Sequence, residues 1–202
     1  MTYKRRLRKA LIKRLGAKKV VFMKGWRKNY TGPWLGKDRL PVALVLHHTA
    51  GAVTDSINPK APGNQKGANA GIVNFIQNHY RVPAANFTLD RDGTVYVHAA
   101  EPVWHAGLGT FTGKKPWDTL GVPKDQGNRY MLGVEIMSKG IKEDFTQAQK
   151  QNLVDLILAC QDACKWKGTA TRRLPRHRDW TTRKNDIIYS NADVQKWIKT
   201  YK

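Results

Sequence analysis

Acidic residues and cysteine are scarce in this sequence, and both shortages limit what the protein can be. Among 202 residues, 15 Asp and Glu stand against 36 Lys and Arg, which gives a net charge of +21. This excess favours a polyanionic partner, such as nucleic acid, an anionic membrane or an anionic cell wall. The two cysteines, Cys160 and Cys164, share one face of a predicted helix, where they are poorly placed for a disulfide. We therefore expect reduced core cysteines, as in a protein that folds in a cytoplasm.

Long apolar runs are also lacking. No stretch is long enough to span a bilayer. Near the N-terminus Leu7, Leu11 and Leu15 are interrupted by Lys and Arg, so the hydrophobic region of a secretory signal is absent. We expect the protein to be made and kept in a cytoplasm until something else releases it.

The N-terminal fifth of the chain carries most of the excess charge. Residues 1–39 hold 14 basic residues and one acidic residue. The four-residue spacing of leucines over residues 4–15 predicts a basic amphipathic helix. Its leucines either pack on the main domain, or the helix anchors the protein to an anionic wall or membrane. Glycine and proline within 24–40 indicate a linker, so we predict a basic N-terminal extension, 1–39, and a catalytic domain, 40–202.

The rest of the chain alternates strands and helices. The apolar segments 42–48 and 132–137 suit buried strands. Alternation on both sides of Asp92 and Gly93 predicts a β-hairpin over 86–99. The predicted helices cover 68–80, the segment from a capping box at Thr146 to Gly168, and the residues from about Asn191 onward. The pattern predicts a single α/β domain with a central mixed β-sheet flanked by helices.

Two of the six histidines lie where functional sites are usually built. His47 ends a predicted strand, and His177 precedes Asp186 by nine residues in a polar segment. Catalytic zinc takes three ligands from His, Cys and carboxylate side chains and keeps a fourth position open. Two histidines and one aspartate fit that requirement. A histidine at a strand end is also commonly structural, so the spacing alone leaves the assignment open.

Five short motifs follow one another along the predicted domain. They are LHHTAG (46–51), NFTLDRDG (86–93), VWHAG (103–107), LGVEI (132–136) and HRDWTTRKND (177–186). Each motif is weak alone, but together and in this order they resemble the type 2 N-acetylmuramoyl-L-alanine amidases. That family includes bacterial amidases, phage endolysins and peptidoglycan-recognition proteins. The resemblance covers about residues 40–190.

The resemblance implies a zinc-dependent hydrolase that cleaves the amide bond between N-acetylmuramic acid and L-alanine in peptidoglycan. His47, His177 and Asp186 match the zinc ligands. Glu135 matches the general base that takes a proton from the attacking water, and Lys184 matches the group that stabilises the oxyanion. These are the residue types that amide hydrolysis needs. From the residues alone, Glu135 could instead be a buried ion-pair partner and Lys184 an ordinary surface lysine.

Three further residues are expected to bind substrate: Asn86, Trp104 and His105. Trp104 and His105 match a substrate-facing turn of the family, although Trp104 could equally be a core residue. Asn86 stands where many relatives have His. The chain also departs from the family at Ala85, where some phage relatives have Tyr, and at Ile187, where Pro is common. These departures concern substrate preference and loop geometry more than the metal site.

The remaining histidines have less specific interpretations. His48 would point to the opposite side of an extended strand from its neighbour. We expect it to pack or to support a ligand, and it is also the alternative ligand. His79 and His98 match no functional position and are expected to be structural.

The expected function is that of a phage endolysin, which reaches the wall through a holin-type lesion and lyses its host. The residues 1–39 would contact an anionic cell wall or membrane surface. One alternative is a peptidoglycan-binding module that does not cleave. Another is a nucleic-acid-binding protein, but only charge suggests it, because no zinc-finger spacing, aromatic ribonucleoprotein motif or helix-turn-helix signature is present. We therefore expect no nucleic-acid partner.

Overall fold

A five-stranded mixed β-sheet organises the computed structural model, which describes residues 1–30, 40–50, 69–78 and 81–202. The strands are β1 (Val20–Phe22), β2 (Ala43–His48), β3 (Phe87–Leu89), β4 (Val95–Val97) and β5 (Met131–Ile136). Their order in the sheet is β1-β4-β3-β5-β2. β3 and β4 form the predicted antiparallel hairpin, and the other three neighbouring pairs are parallel. The predicted α/β class with a mixed sheet is confirmed.

Helices cover both faces of this sheet. They are α1 (Tyr3–Leu15), α2 (Ala70–Asn78), α3 (Gly127–Tyr130), α4 (Gln147–Cys164), α5 (His177–Trp180) and α6 (Asn191–Tyr201). α4 begins at the predicted capping box, in which Thr146 and Gln149 each accept a hydrogen bond from the other's backbone N–H. It ends earlier than predicted, because Lys165 takes the left-handed conformation that closes the helix. None of the helices in the described ranges is long and apolar enough to cross a membrane.

The larger core lies between the sheet and helices α1, α4 and α6. α4 contributes a buried apolar stripe that includes Leu153, Leu156 and Ile157. Cys160 and Cys164 belong to the same stripe and are free, so the expectation that they form no disulfide is confirmed. Burial raises the pKa of the Cys164 thiol to about 12, which keeps it protonated and unreactive.

The N-terminal segment is part of this domain rather than an extension. Leu7 and Leu11 are fully buried against α4 in the main core. β1 adds a parallel edge strand beside β4, which the sequence did not predict. The predicted helix is confirmed, but the division at residue 39 is wrong as a domain boundary, because residues 1–30 share the sheet and core. The predicted linker falls partly on 31–39, outside the described residues.

The opposite face of the sheet is covered by α2 and by the segments that run into α3 and through α5. Phe111, Trp117 and Trp180 form a smaller core against Val45 and Met131. Because β2 and β5 are parallel, their C-terminal ends meet at one edge of the sheet. This edge carries the candidate site.

Candidate metal centre and active-site cleft

Parallel pairing of β2 and β5 places two of the predicted site residues side by side. His47 and Glu135 are register partners across these strands. On the other side of β2, the Leu46 N–H donates to the carbonyl of Pro175 at 2.9 Å. This backbone bond brings His177, at the start of α5, beside the end of β2.

A network of local hydrogen bonds then fixes the segment that carries the remaining predicted ligand. Asp179 accepts a bond from the Arg176 N–H at 2.8 Å and two from the Arg176 guanidinium, which shapes the first turn of α5. The Arg178 N–H donates to the carbonyl of Asp186 at 2.9 Å, so the loop after α5 folds back onto it. Asp186 thereby comes to face the two histidines.

The three predicted zinc ligands converge on one point. The Nδ1 atoms of His47 and His177 are 2.9 Å apart, and each is 3.3 Å from Oδ2 of Asp186. All three residues are buried. Tetrahedral zinc with bonds of about 2.0–2.2 Å would space its ligand atoms about 3.3–3.5 Å apart. The donor set therefore fits zinc to within a few tenths of an ångström.

Outer hydrogen bonds determine which nitrogen of each imidazole bears the proton. Nε2 of His177 lies 3.1 Å from the carbonyl of Ala106, so we assign the proton to Nε2. Nε2 of His105 lies 3.0 Å from the carbonyl of Met131, which leaves Nδ1 of His105 as an acceptor. Nε2 of His47, 3.1 Å from that acceptor, must then donate.

When both imidazoles are neutral, as metal ligation requires, their Nδ1 atoms present lone pairs to each other and to Oδ2 of Asp186. Three facing lone pairs with no proton between them repel, and a cation at their centre removes that repulsion. Burial lowers the pKa of His47 to about 4, so its imidazole is neutral at neutral pH, as metal ligation requires.

A cleft of about 640 Å³ opens beside these three residues. Its lining includes both residues predicted to be catalytic, Glu135 and Lys184. Glu135 is half-buried, and burial together with the negative charge of Asp186 raises its pKa to about 8, although Lys184 acts in the opposite direction. Lys184 is exposed and lies on the loop just before Asp186. The cleft thus presents a proton carrier and a cation beside the ligand cluster.

Two large aromatic side chains line the same cleft. Trp104 is 46% exposed, which excludes the alternative that it is a core residue. Phe75, on α2, is 57% exposed and was not predicted as a site residue. Its spacing from Ile72 and Ile76 predicts that it lies on the apolar face of a helix. No feature of the sequence indicates that this face also borders a cleft.

Asn86 does not reach the cleft, and its predicted role in substrate binding is wrong. The side chain is fully buried. Its amide nitrogen donates to the carbonyls of Ala99 and Glu101, and its oxygen accepts from the N–H of Gly133. These bonds use its polar groups to tie the end of the hairpin to β5.

His105 needs a similar correction. It lies at the wall of the cleft, but both of its ring nitrogens are engaged within the protein, one with His47 and one with Met131. Those atoms are therefore not available to a substrate. The residue supports a ligand instead.

Of the remaining histidines, His48 and His98 are not part of the ligand cluster. His48 is half-buried and lines the cleft, but it is not a member of the ligand cluster. His98 is fully buried between Thr88 and Gln77, at 2.8 and 2.7 Å, which confirms a structural role. His79 lies outside the described residues.

Comparisons with known proteins agree with the motifs and the fold. A sequence model described as N-acetylmuramoyl-L-alanine amidase matches residues 37–187. A crystal structure of a selenomethionine AmpD derivative is 22% identical, with a TM-score of 0.53 over 88% of this chain and 99% of that one. Peptidoglycan recognition protein-LE, solved with tracheal cytotoxin, is 18% identical, with a TM-score of 0.56 over 89% and 94% of the two chains.

The Apis mellifera recognition protein PGRP-SA is similar in the same way, at 14% identity and a TM-score of 0.55 over 88% and 95% of the chains. No curated protein sequence matches the chain. At these identities the solved structures show a shared fold.

Proposed function

We propose that this chain, which belongs to the N-acetylmuramoyl-L-alanine amidase family, is a zinc-dependent enzyme. Its reaction is hydrolysis of the amide bond between N-acetylmuramic acid and L-alanine in bacterial peptidoglycan. The observation that carries the proposal is the convergence of three buried lone-pair donors in the lining of a cleft. A protein that only bound peptidoglycan would have no need of such a donor set beside an acid and a lysine.

His47, His177 and Asp186 would hold the metal. Two neutral imidazoles and one carboxylate leave a net charge of about +1 on a zinc site, which suits a Lewis acid. When bound, zinc would polarise the scissile carbonyl and make water at the site more acidic.

Glu135 supplies the proton transfers in this proposal. Its carboxyl group borders the cleft next to His47, and its raised pKa allows it to take up and release a proton near neutral pH. It takes a proton from the attacking water and delivers it to the nitrogen of the departing L-alanine. Delivery is necessary because an amide nitrogen leaves as an amine, not as an anion.

Lys184 stabilises the negative charge that develops on the carbonyl oxygen. Lys184→Ala is expected to lower kcat by about a hundredfold or more, in line with removal of one oxyanion stabiliser. Steady-state kinetics on a soluble muramyl peptide measure this effect. Lys142→Ala, which removes an exposed lysine outside the cleft lining, is the control and should leave kcat unchanged. An unchanged kcat in Lys184→Ala would remove Lys184 from the mechanism.

Mass spectrometry of digested peptidoglycan tests the proposed bond specificity. We expect free stem peptides that begin with L-alanine, together with glycan strands whose muramic acid carboxyl groups are free. Cleaved sugars or cleaved peptide cross-links would overturn the proposal. Retention on walls without any released product would instead favour a recognition module.

We further propose that the protein acts as a phage endolysin that remains in the host cytoplasm until a holin-type lesion exposes the wall. The net charge of +21 suits attraction to the phosphates and carboxylates of bacterial walls. Expression inside a bacterium should lyse the culture when a membrane lesion is supplied. Intact cells after the lesion would contradict this setting.

The exposed face of α1 is the part of the surface that we propose to contact the anionic wall. Arg5, Arg8, Lys9 and Lys13 line a shallow groove together with Arg27. The opposite, leucine-bearing face is buried in the core. Insertion of those leucines into a membrane would require α1 to leave α4, so the docked helix offers charge alone. A phosphate-bearing wall polymer fits this surface better than a lipid bilayer does.

Replacing three cations of this face, as Arg5→Gln, Lys9→Gln and Lys13→Gln together, is expected to weaken binding to isolated walls at low salt. Hydrolysis of a soluble muramyl peptide should not change. The difference should shrink as salt is raised, because screening shortens the range of the attraction. A cosedimentation series over salt concentration measures it.

The matched control makes the same change of net charge at Lys165, Lys167 and Lys199, which are exposed and lie outside the groove. Equal loss of wall binding in both triple variants would show that overall charge acts rather than α1. No loss in the α1 variant would discard this surface.

A further inference from the structure

One tight turn provides the outer hydrogen-bond partners of both predicted histidine ligands. Nδ1 of His105 faces His47 at 3.1 Å, and the carbonyl of the next residue, Ala106, faces His177 at 3.1 Å. The two contacts orient the rings and place their protons away from the metal position. Such outer partners set the tautomer and the basicity of a ligating histidine.

The side chain of Asn128 bonds to two consecutive backbone N–H groups of this turn. Oδ1 of Asn128 accepts the backbone N–H of His105 at 2.9 Å and that of Ala106 at 2.7 Å. Two consecutive N–H groups aimed at one oxygen fix the peptide units on both sides of the His105 Cα. These two hydrogen bonds therefore fix both the direction of the His105 side chain and the position of the Ala106 carbonyl.

The turn also packs against the segment that carries Asn128. Met131, three residues later, accepts the Nε2–H of His105. A Cβ atom at Gly133 would lie 2.5 Å from Cγ of His105, and one at Gly127 would lie 2.7 Å from the Cβ of Ala106. Both glycines are therefore needed for the turn to lie this close. Residues 127–133 therefore form the surface on which the turn packs.

We infer that Asn128 is a positioning residue for the metal centre, which acts on both histidine ligands through residues 105 and 106. It is not one of the three converging ligands and lies on α3, outside the cleft lining. Without its oxygen, two N–H groups lose their acceptor and the turn relaxes. His47 then loses the constraint that keeps its proton on Nε2, and His177 loses a fixed acceptor. The inference rests on the proposed zinc site.

Asn128→Leu tests this role, because leucine has nearly the same size but cannot accept a hydrogen bond. We expect zinc affinity to fall by about tenfold to a hundredfold, the range that loss of outer partners of metal ligands usually causes. Asn128→Asp keeps an acceptor oxygen and is expected to restore affinity to near the wild-type value. Competition with a chromophoric chelator, well below the melting temperature of each variant, measures the affinities.

Nitrogen NMR of the imidazoles in metal-free protein supplies a second readout. In the wild type and Asn128→Asp, His47 should be in the single tautomer with its proton on Nε2, whereas Asn128→Leu should show a mixture. A merely structural role would lower the melting temperature of Asn128→Leu without changing either readout, and this result would overturn the inference. Wild-type protein that binds no zinc would refute the proposed function, while the tautomer measurement would still decide the role of Asn128.

Discussion

Glu135→Gln is expected to reduce kcat on a muramyl peptide by about a thousandfold or more while one zinc remains bound per chain. General acid–base groups commonly contribute roughly 10²–10⁴-fold, and this carboxyl group serves twice in the proposed reaction. Glutamine matches the size of the carboxyl group but cannot take up a proton. Zinc is retained because Glu135 is not one of the three converging donors.

Kinetics and metal analysis on the same protein samples separate the possible results. Glu143→Gln removes an exposed carboxylate outside the cleft lining and should leave both readouts at wild-type values. Loss of zinc in Glu135→Gln would make this residue a ligand. An unchanged kcat would mean that another group moves the proton.

His177→Ala is expected to lose both zinc and activity. Its Nδ1 is one of three ligand atoms within 3.3 Å of one another, and removal leaves a site of two donors. The loss of zinc affinity should exceed the roughly 10- to 100-fold that outer partners cause. Isothermal titration of the chelator-treated protein with zinc measures this loss.

His48→Ala is the matched control, since His48 follows His47 on β2 and lines the same cleft without joining the cluster. It should keep one zinc per chain. The reverse outcome, in which His48→Ala loses zinc and His177→Ala keeps it, would mean that the ligands are misassigned. Circular dichroism of both variants checks that the fold is intact.

Much of the site could be predicted because its residues lie at the ends of short apolar segments. His47 and Glu135 belong to buried strands with clear boundaries, and parallel strands end at the same edge of a sheet. His177 begins α5 and Asp186 lies in the loop that follows, within one motif that fixes their spacing. Such local patterns can be recognised in the sequence without knowing how the rest of the chain folds.

The packing of the N-terminal segment could not be predicted from its charge. Twelve of the first 30 residues are Lys or Arg, so the composition favours an appendage. Burial of Leu7 and Leu11 on α4, and pairing of Val20–Phe22 with β4, depend on contacts with residues far along the chain. Because of these contacts, deletion of residues 1–39 would damage the core. Substitution on the exposed face of α1 is therefore the cleaner test of wall binding.

The predictions for Asn86 and His105 failed for a related reason. A polar residue in a motif can face a substrate or hold the backbone that surrounds the site, and its type is the same in both cases. Only packing decides: Asn86 is directed into the sheet and His105 against Gly133. No motif pointed to Asn128, because its role is to accept hydrogen bonds from two backbone N–H groups that are distant from it in sequence.

X-ray absorption spectroscopy at the zinc edge, on the zinc-loaded wild-type protein, tests the ligand set most directly. We expect only nitrogen and oxygen neighbours at about 2.0–2.2 Å, with the scattering pattern of two imidazoles. Sulfur neighbours at about 2.3 Å would assign the metal to the cysteines. That result, or a folded protein that takes up no zinc, would contradict the site formed by His47, His177 and Asp186.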